Sequence, residues 1–489
     1  MSANRFSRRY FFYGSLLAGA VPAGGFGATP SLKAAGYKSP NEKLNIAAIG
    51  AGGRASSDIA GVASENLVAF CDVDDDRAAA TYKKYPNAPK YKDFRRMLDK
   101  EGGNIDAVTV AIPDHMHGSA AIWAMQRGKH VYVEKPLTHT VWEARMLTEA
   151  AAKYGVATQM GNQGYSNEGA RIASEIIWSG EIGDVTEVHA WTDRPIWPHG
   201  VNTVPGPETP PATLDWDNWL GVAAARPFTT GGPAYAKEQK TTFGFYQPFN
   251  WRGFFDFGCG AIGDMALHLL GAANMSLRLT APTSVEVIHQ EGKSEFMFPK
   301  KSVTRFDFPA RGSMPPVKIF WHDAAKEAAY RPEGIPPGER IIGGLWSLPM
   351  PTTPPAPLAP DAKPVDLAKE ENNGVVFIGT KGMMTTDTYA GSVRLLPASR
   401  MEDYRPPAQM LTRSPGHHRD WIRACKGGDP ACSNFSVSGP FTEWLLTGAV
   451  ALHFEGKLDW DSSKMQFSNN QAANNMLKPM FRKGWEWPS

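Results

Sequence analysis

Between residues 44 and 160 the chain alternates short, uninterrupted apolar runs with longer segments whose apolar positions recur every three or four residues. The runs at 44–49, 67–70, 107–112, 130–133 and 157–160 have the length and β-branched content of strands buried on both faces. Segments such as 119–126 and 141–154 carry the helical period between them. Strand and helix in strict alternation predict a parallel sheet with crossover helices. Beyond Gly161 the texture changes. A helix at 168–179 is followed by a strand at 185–191, and further strands are expected at 284–289, 302–308, 317–321, 374–378 and 383–387. These strands, with helices at 417–425 and 442–454, predict a second, α+β domain with a large, mainly antiparallel open sheet after an α/β Rossmann N-terminal domain. Residues 195–244 are rich in Pro, Gly, Thr and Trp and read as one long ordered loop, and 331–366 as a Pro-rich insertion. The boundaries expected are a leader at 1–28, a linker at 29–42, the first domain at 43–161, the second at 162–460 and a tail at 461–489.

Composition narrows the function classes. The chain has 489 residues, 42% hydrophobic and 20% charged, with a net charge of +2 and no block of like charge. That balance argues against nucleic acid or an anionic surface as the main partner, and no later segment is apolar for long enough to make a stable membrane span. Four cysteines, Cys71, Cys259, Cys425 and Cys432, do not make a disulfide-dense scaffold. Cys425 and Cys432 flank a Gly-Gly-Asp-Pro turn, where a bridge and two free thiols are both open. The leader carries Ser7-Arg8-Arg9-Tyr10-Phe11-Phe12 before a weakly apolar stretch that runs to Ala28, the pattern of a twin-arginine export signal. A periplasmic or otherwise exported location is expected.

The first strand runs into Gly50-Ala51-Gly52-Gly53-Arg54-Ala55, which fits G-x-G-x-x-A. Gly50 permits the tight turn, Gly52 a close backbone approach to a pyrophosphate, and Ala55 close packing of helix on strand. The free N–H groups of the next helix would face the phosphates, and Arg54 and Gly53 lie beside them. Asp72, about twenty residues on at the next strand's end, would grip a ribose hydroxyl. Its charge favours NAD over NADP, a preference that Arg54 could partly reverse.

Further along, Pro113-Asp114-His115-Met116-His117 follows the 107–112 strand. Asp114 is placed to cap a helix. His115 and His117 form a polar lip at the sheet's carboxyl edge rather than a metal pair, since no i,i+4 partner or carboxylate cluster accompanies them; no metal is expected. Glu134-Lys135-Pro136 ends a four-residue apolar strand, where Lys135 would face a nicotinamide and hold or take a hydroxyl proton. Asp264 and His268 stand four apart at the start of a helix and so share a face. Asp264 is expected in the first turn, kept ionised by the helix dipole and binding substrate hydroxyls, with His268 relaying a proton. Trp197, His199, Trp251 and Arg252 are candidates for lining a sugar site, since indole faces stack on sugar C–H groups.

Together these motifs resemble the Gfo/Idh/MocA family, the group of glucose–fructose oxidoreductase and inositol dehydrogenase. The resemblance covers roughly residues 44 to 460 and is strongest to Val188. It rests on the glycine loop, Asp72, Pro113-Asp114 with His117, Gly128-Lys129-His130-Val131, Glu134-Lys135-Pro136, and Asp264 with His268. It implies Lys135, Asp264 and His268 as the catalytic set. It implies cofactor contacts from Pro113, His117, Glu134, Asn162 and Gln163, and an open sheet face that makes a homo-oligomer, a dimer or tetramer. The export signal, the long loop and the Pro-rich insertion depart from compact cytosolic members.

Three functions follow as expectations. The first is an exported oxidoreductase moving hydride between a secondary alcohol of a sugar or glycoside and a nicotinamide retained on the enzyme, because nicotinamides are scarce outside the cytoplasm. The second is redox-neutral glycoside cleavage through a transient 3-keto sugar, with His268 or Tyr165 as base. The third is a non-catalytic sugar-binding protein, against which the intact catalytic set counts.

Overall fold

The computed structural model describes residues 41–325, 330–336, 338–343, 347–349 and 372–488. The leader, most of the linker and most of the Pro-rich insertion lie outside the described residues. Six strands form the first sheet: β1 (Asn45–Ile49), β2 (Asn66–Cys71), β3 (Lys90–Tyr91), β4 (Ala107–Val110), β5 (His130–Glu134) and β6 (Thr158–Gly161). Their order is β3-β2-β1-β4-β5-β6, and every neighbouring pair is parallel. The order reverses between β1 and β4, which opens a crevice at the carboxyl ends of the strands. β4 is buried throughout, which is why its sequence shows no polar alternation.

The second sheet has nine strands: β7 (Val185–Thr192), β8 (Ser284–Glu291), β9 (Lys301–Phe308), β10 (Val317–His322), β11 (Asn373–Gly379), β12 (Gly382–Thr386), β13 (Val393–Leu396), β14 (Lys457–Asp461) and β15 (Gln466–Phe467). Their order is β13-β12-β11-β7-β10-β9-β8-β14-β15, antiparallel except where β7 pairs with β10. β9 alternates strictly, with Ser302, Thr304, Phe306 and Phe308 turned inward. The helices Gly260–Leu269 and Phe435–Ala451 pack on that inner face, where Phe306 and Phe308 meet Trp444 edge-on.

Several elements differ from the sequence expectation. The last long helix starts at Phe435, ahead of the expected 442, because Asn434 caps the Ser436 amide; Pro440 is accommodated within it. Residues 195–244 contain the helices Trp216–Leu220 and Gly232–Glu238 and join an aromatic core of their own with Phe254, Phe257 and Met297. Residues beyond 461 do not hang free. β14 and β15 extend the second sheet, while 476–488 lie against the first domain, with the Trp487 ring 4.9 Å from Trp142 and its Nε1 donating to Ser119.

Candidate active site

A cavity of about 440 Å³ runs along the crevice from the glycine loop to the helix of His268, within the range of small-molecule sites. At one end, Gly50 sits at φ 95°, and a Cβ there would lie 2.3 Å from the Ala111 carbonyl oxygen. Only glycine lets β1 turn so tightly beside β4. A Cβ on Gly52 would strike the Arg77 carbonyl at 2.4 Å, so the loop is also pressed against the next helix. Ala55 is buried beneath. The loop leads into the helix Arg54–Gly61, where the Ala55 and Ser56 amides fold back onto the Gly52 and Gly53 carbonyls (3.2 Å each) and no side chain caps the end, so the positive end of the helix dipole favours a pyrophosphate.

Asp72 faces this loop. Its Oδ2 accepts from the amides of Ala51 (2.8 Å) and Gly52 (3.2 Å), and its Oδ1 from that of Asp74. Burial raises its pKa and these amides oppose the rise. Arg54 lines the cavity, but its guanidinium is engaged. It pairs with Glu134 (3.0 Å) and Asp58 (2.9 Å). Glu134 also accepts from Tyr132 Oη and Gln163 Nε2.

At the other end, Lys135 Nζ donates to Asp264 Oδ1 (2.5 Å) and to the Asp264 carbonyl (2.9 Å). Arg252 Nε stands 3.5 Å from the same Oδ1, with its guanidinium over the rings of Phe249 and Trp251. Asp264 lies in the second turn of its helix, not the first, so the helix end does not account for its ionisation. Burial works against its charge, but Lys135 and then Arg252 outweigh it and hold the pKa down to about 2. The Lys135 and Asp264 side chains are 15% and 14% exposed, and removing one partner of so enclosed a pair costs about 3–5 kcal/mol. Asp264 does not line the cavity; it fixes Lys135 and Arg252, which do.

His268 lines the cavity edge-on to Tyr389, with ring centroids 4.8 Å apart. Burial, then the charge of Lys135, drives its pKa well below 6.5, so it is neutral at physiological pH. Its Nδ1 is buried without a hydrogen-bond partner among the described residues.

Of the remaining expected residues, Gly53, Pro113, His117, Gln163 and Trp251 line the cavity. Both His117 ring nitrogens face carbonyls, Nδ1 that of Pro136 at 2.6 Å and Nε2 that of Ile112 at 2.7 Å, tying the two loops together. Four residues lie elsewhere. Asn162 is fully buried and its Oδ1 accepts from Ser433. Tyr165 points into the core, its hydroxyl accepting from Asn274, and burial lifts its pKa far above the range of a base. Trp197 and His199 bond to each other behind Phe249. Their polar tips find partners within the fold, which spacing alone does not show.

Four wall residues had not been singled out for the site. Asp114 caps no helix; it accepts from the Cys259 amide across the domain seam at 3.1 Å, and burial first, against Arg252 and Lys135, lifts its pKa to about 7. Trp219 and Phe249 come from the long loop and its continuation. Tyr389 is presented by the β12–β13 turn, which Asp387 locks by accepting from the amides of Tyr389, Gly391 and Ser392. That Asp-x-Tyr-x-Gly-Ser turn signal was readable; its direction was not. All four cysteines are free. Among the described residues no cluster of His, Cys, Asp or Glu is arranged to hold a metal ion, and no helix is long and apolar enough to cross a membrane.

This geometry agrees with comparisons to known proteins. Residues 44–162 match the GFO_IDH_MocA family model, described as an oxidoreductase family with an NAD-binding Rossmann fold. Over that region the chain is similar to the Gfo/Idh/MocA oxidoreductases. It is 30% identical over 156 residues to inositol 2-dehydrogenase of Salmonella typhimurium, covering 32% of this chain and 44% of that protein. It is 27% identical over 177 residues to a glycosyl hydrolase family 109 protein of Solibacter usitatus, covering 33% and 39%. The matched region is thus less than half the length of either relative. Over nearly the whole fold it resembles the WlbA dehydrogenase of Bordetella pertussis, solved with NADH and UDP-GlcNAcA, at a TM-score of 0.53 and 16% identity, covering 86% of this chain and 99% of that one.

Proposed function

We propose that this protein is an exported oxidoreductase that moves hydride between a secondary alcohol of a sugar or glycoside and a nicotinamide, NAD in preference to NADP, retained through turnover. The observation that carries this reading is a single cavity joining the glycine loop and Asp72 to Lys135, Arg252 and the neutral His268. A nicotinamide held in this crevice supplies the acceptor or donor of hydride. Lys135 orients the substrate hydroxyl and stabilises negative charge growing on its oxygen. The imidazole of His268 takes the hydroxyl proton as hydride leaves the carbon, and returns it in the reverse direction. Trp251 and Phe249 offer apolar faces to a sugar ring. Preference for NAD rests on Asp72, whose carboxylate would repel a 2′-phosphate, and on Arg54, whose guanidinium is engaged with Glu134.

Export rests on the leader sequence, and assembly into a homo-oligomer on the outer face of the second sheet, where Ile288 is 47% exposed. The test is to purify the protein, release any bound nicotinamide for mass identification, and challenge the remainder with a glycoside panel. Reduction of the bound nicotinamide by a sugar is the expected result; a protein that never binds NAD or NADP refutes it.

A second reading is favoured by the likeness to a glycosyl hydrolase family 109 protein. Here the same hydride removal acidifies the neighbouring C–H, the aglycone leaves, water adds and hydride returns, with His268 as the base. Release of aglycone with no added acceptor would select it over net oxidation.

A further inference from the structure

The adenosine end of the crevice is closed by segments from distant parts of the chain. Asp72 marks that end, because the acidic residue ending the second strand takes the adenosine ribose in this fold. Directly after it, residues 73–76 are covered by the long loop. Leu214 forms a β-bridge with Asp74, the Asp75 amide donates to the Thr213 carbonyl (3.1 Å), and the Asp215 amide to the Val73 carbonyl (2.8 Å). Lys92 Nζ adds bonds to the carbonyls of Val73 and Thr213. This covering loop is itself fastened. Arg482 donates from Nε to the Gly221 carbonyl (2.8 Å) and from Nη2 to the Asp217 carbonyl (2.7 Å), and its Nη1 pairs with the Asp217 carboxylate. The Arg482 amide reaches the Val222 carbonyl. Three residues on, Trp485 is 7% exposed and lines the cavity beside Phe94, pressed under the Arg95 guanidinium at 3.8 Å. Arg95 in turn donates to the Gly484 carbonyl.

We infer that residues 213–222 and 482–485 form a clasp over the adenosine half of the dinucleotide, and that release of the cofactor requires this clasp to open. The inference rests on the proposed function and gives retention a structural cause. The covering loop is hydrogen-bonded at both ends, through 213–215 to residues 73–75 and through 217–222 to Arg482, so opening it breaks several bonds together. The substrate end is walled by Tyr389 and Phe249 and is not fastened this way. Substrate and product therefore exchange at one end while the cofactor stays clamped at the other.

The test loads the purified full chain with NADH and follows loss of its fluorescence on chase with excess NAD, in wild type, Arg482→Ala and Trp485→Ala, with circular dichroism and thermal melting as folding checks. Asp217→Asn, which leaves every backbone bond in place, is measured alongside. Wild type is expected to keep NADH for many turnovers. Arg482→Ala and Trp485→Ala are expected to release it at least about tenfold faster, the loss of one charge-assisted bond or one aromatic wall. Asp217→Asn is expected to release it a few-fold faster. Should Arg482→Ala fail to fold, Trp485→Ala and Asp217→Asn decide. Rapid release from wild type, or variants that release no faster than wild type, overturns the clasp and leaves the oxidoreductase reading standing. A wild type that binds no nicotinamide overturns both.

Discussion

The two ends of the cleft are built by opposite means. The dinucleotide end is local: β1, the glycine loop and Asp72 all lie between residues 45 and 72, and backbone geometry does most of the positioning. The substrate end is assembled from afar. Lys135, Asp114, Arg252, Asp264, His268 and Tyr389 come from both domains and meet only after folding. The local end can be kept while chemistry changes, and the assembled end can be retuned residue by residue. On the proposed function, substrate choice falls to the second end, since one fold hosts many activities.

The sharpest way to break this contrast is at Lys135. Lys135→Met should lower kcat by about 10²–10³-fold, the cost of removing one donor to negative charge growing on the reacting oxygen, while nicotinamide binding measured by fluorescence titration stays within a few-fold. Loss of nicotinamide binding as well would mean that the two ends are not separable.

A smaller effect is expected at the opposite end. Asp72→Ala removes the acceptor for the ribose hydroxyls, and the same titration should show NAD affinity falling about 10- to 100-fold, the range for a hydrogen bond to a charged group, with discrimination against NADP relaxed. A change in kcat with unchanged affinity would place Asp72 outside the cofactor site.

The seam between the domains has a pH signature. Burial holds Asp114 up at about 7 against an ordinary value of 3.8. Its folded form therefore keeps a proton that its unfolded form has lost between those values, so this group's contribution to stability falls as pH rises from about 4 to about 7 and is flat above. Asp114→Asn should remove that fall from a plot of Tm against pH and remove an inflection near pH 7 from kcat/KM. A mutant whose two profiles match wild type would show that the seam does not sense this carboxyl.

The smallest effect is expected at Tyr389. Its ring lies against His268, so Tyr389→Phe should raise KM a few-fold with kcat nearly unchanged, and Tyr389→Ala should change both. Equal, negligible effects from the two would remove Tyr389 from the substrate wall.

Much of the first domain was legible because its strands are buried on both faces and stand out as apolar runs, and because its motif has its full context of strand, loop, helix and acid. Lys135 was readable as a charge at the end of such a run, and Asp264 with His268 as an i,i+4 pair. Side-chain direction was not readable. Tyr165, Trp197 and His199 carry the residue types of a sugar site, yet turn inward, Tyr165 bonding to Asn274 and His199 to the Pro299 carbonyl, partners distant in sequence, and Trp197 to His199. Asp114 looked like a helix cap, because a cap and a seam acceptor leave the same mark in sequence. The aromatic core of residues 195–244 was hidden in a composition that reads as loop, since its packing partners lie at 254–257 and Met297. The covering of Asp74 by Leu214, and of that loop by Arg482, joins segments that no local pattern connects.

The most direct test of the account is a single-turnover measurement. Wild type and Lys135→Met are loaded with NAD, mixed with the member of the sugar and glycoside panel that the proposed reaction selects, and followed by the near-ultraviolet absorbance of the reduced nicotinamide. Prompt reduction is expected in wild type, and in Lys135→Met a nicotinamide that is bound but not reduced. Reduction at the wild-type rate in Lys135→Met would contradict it.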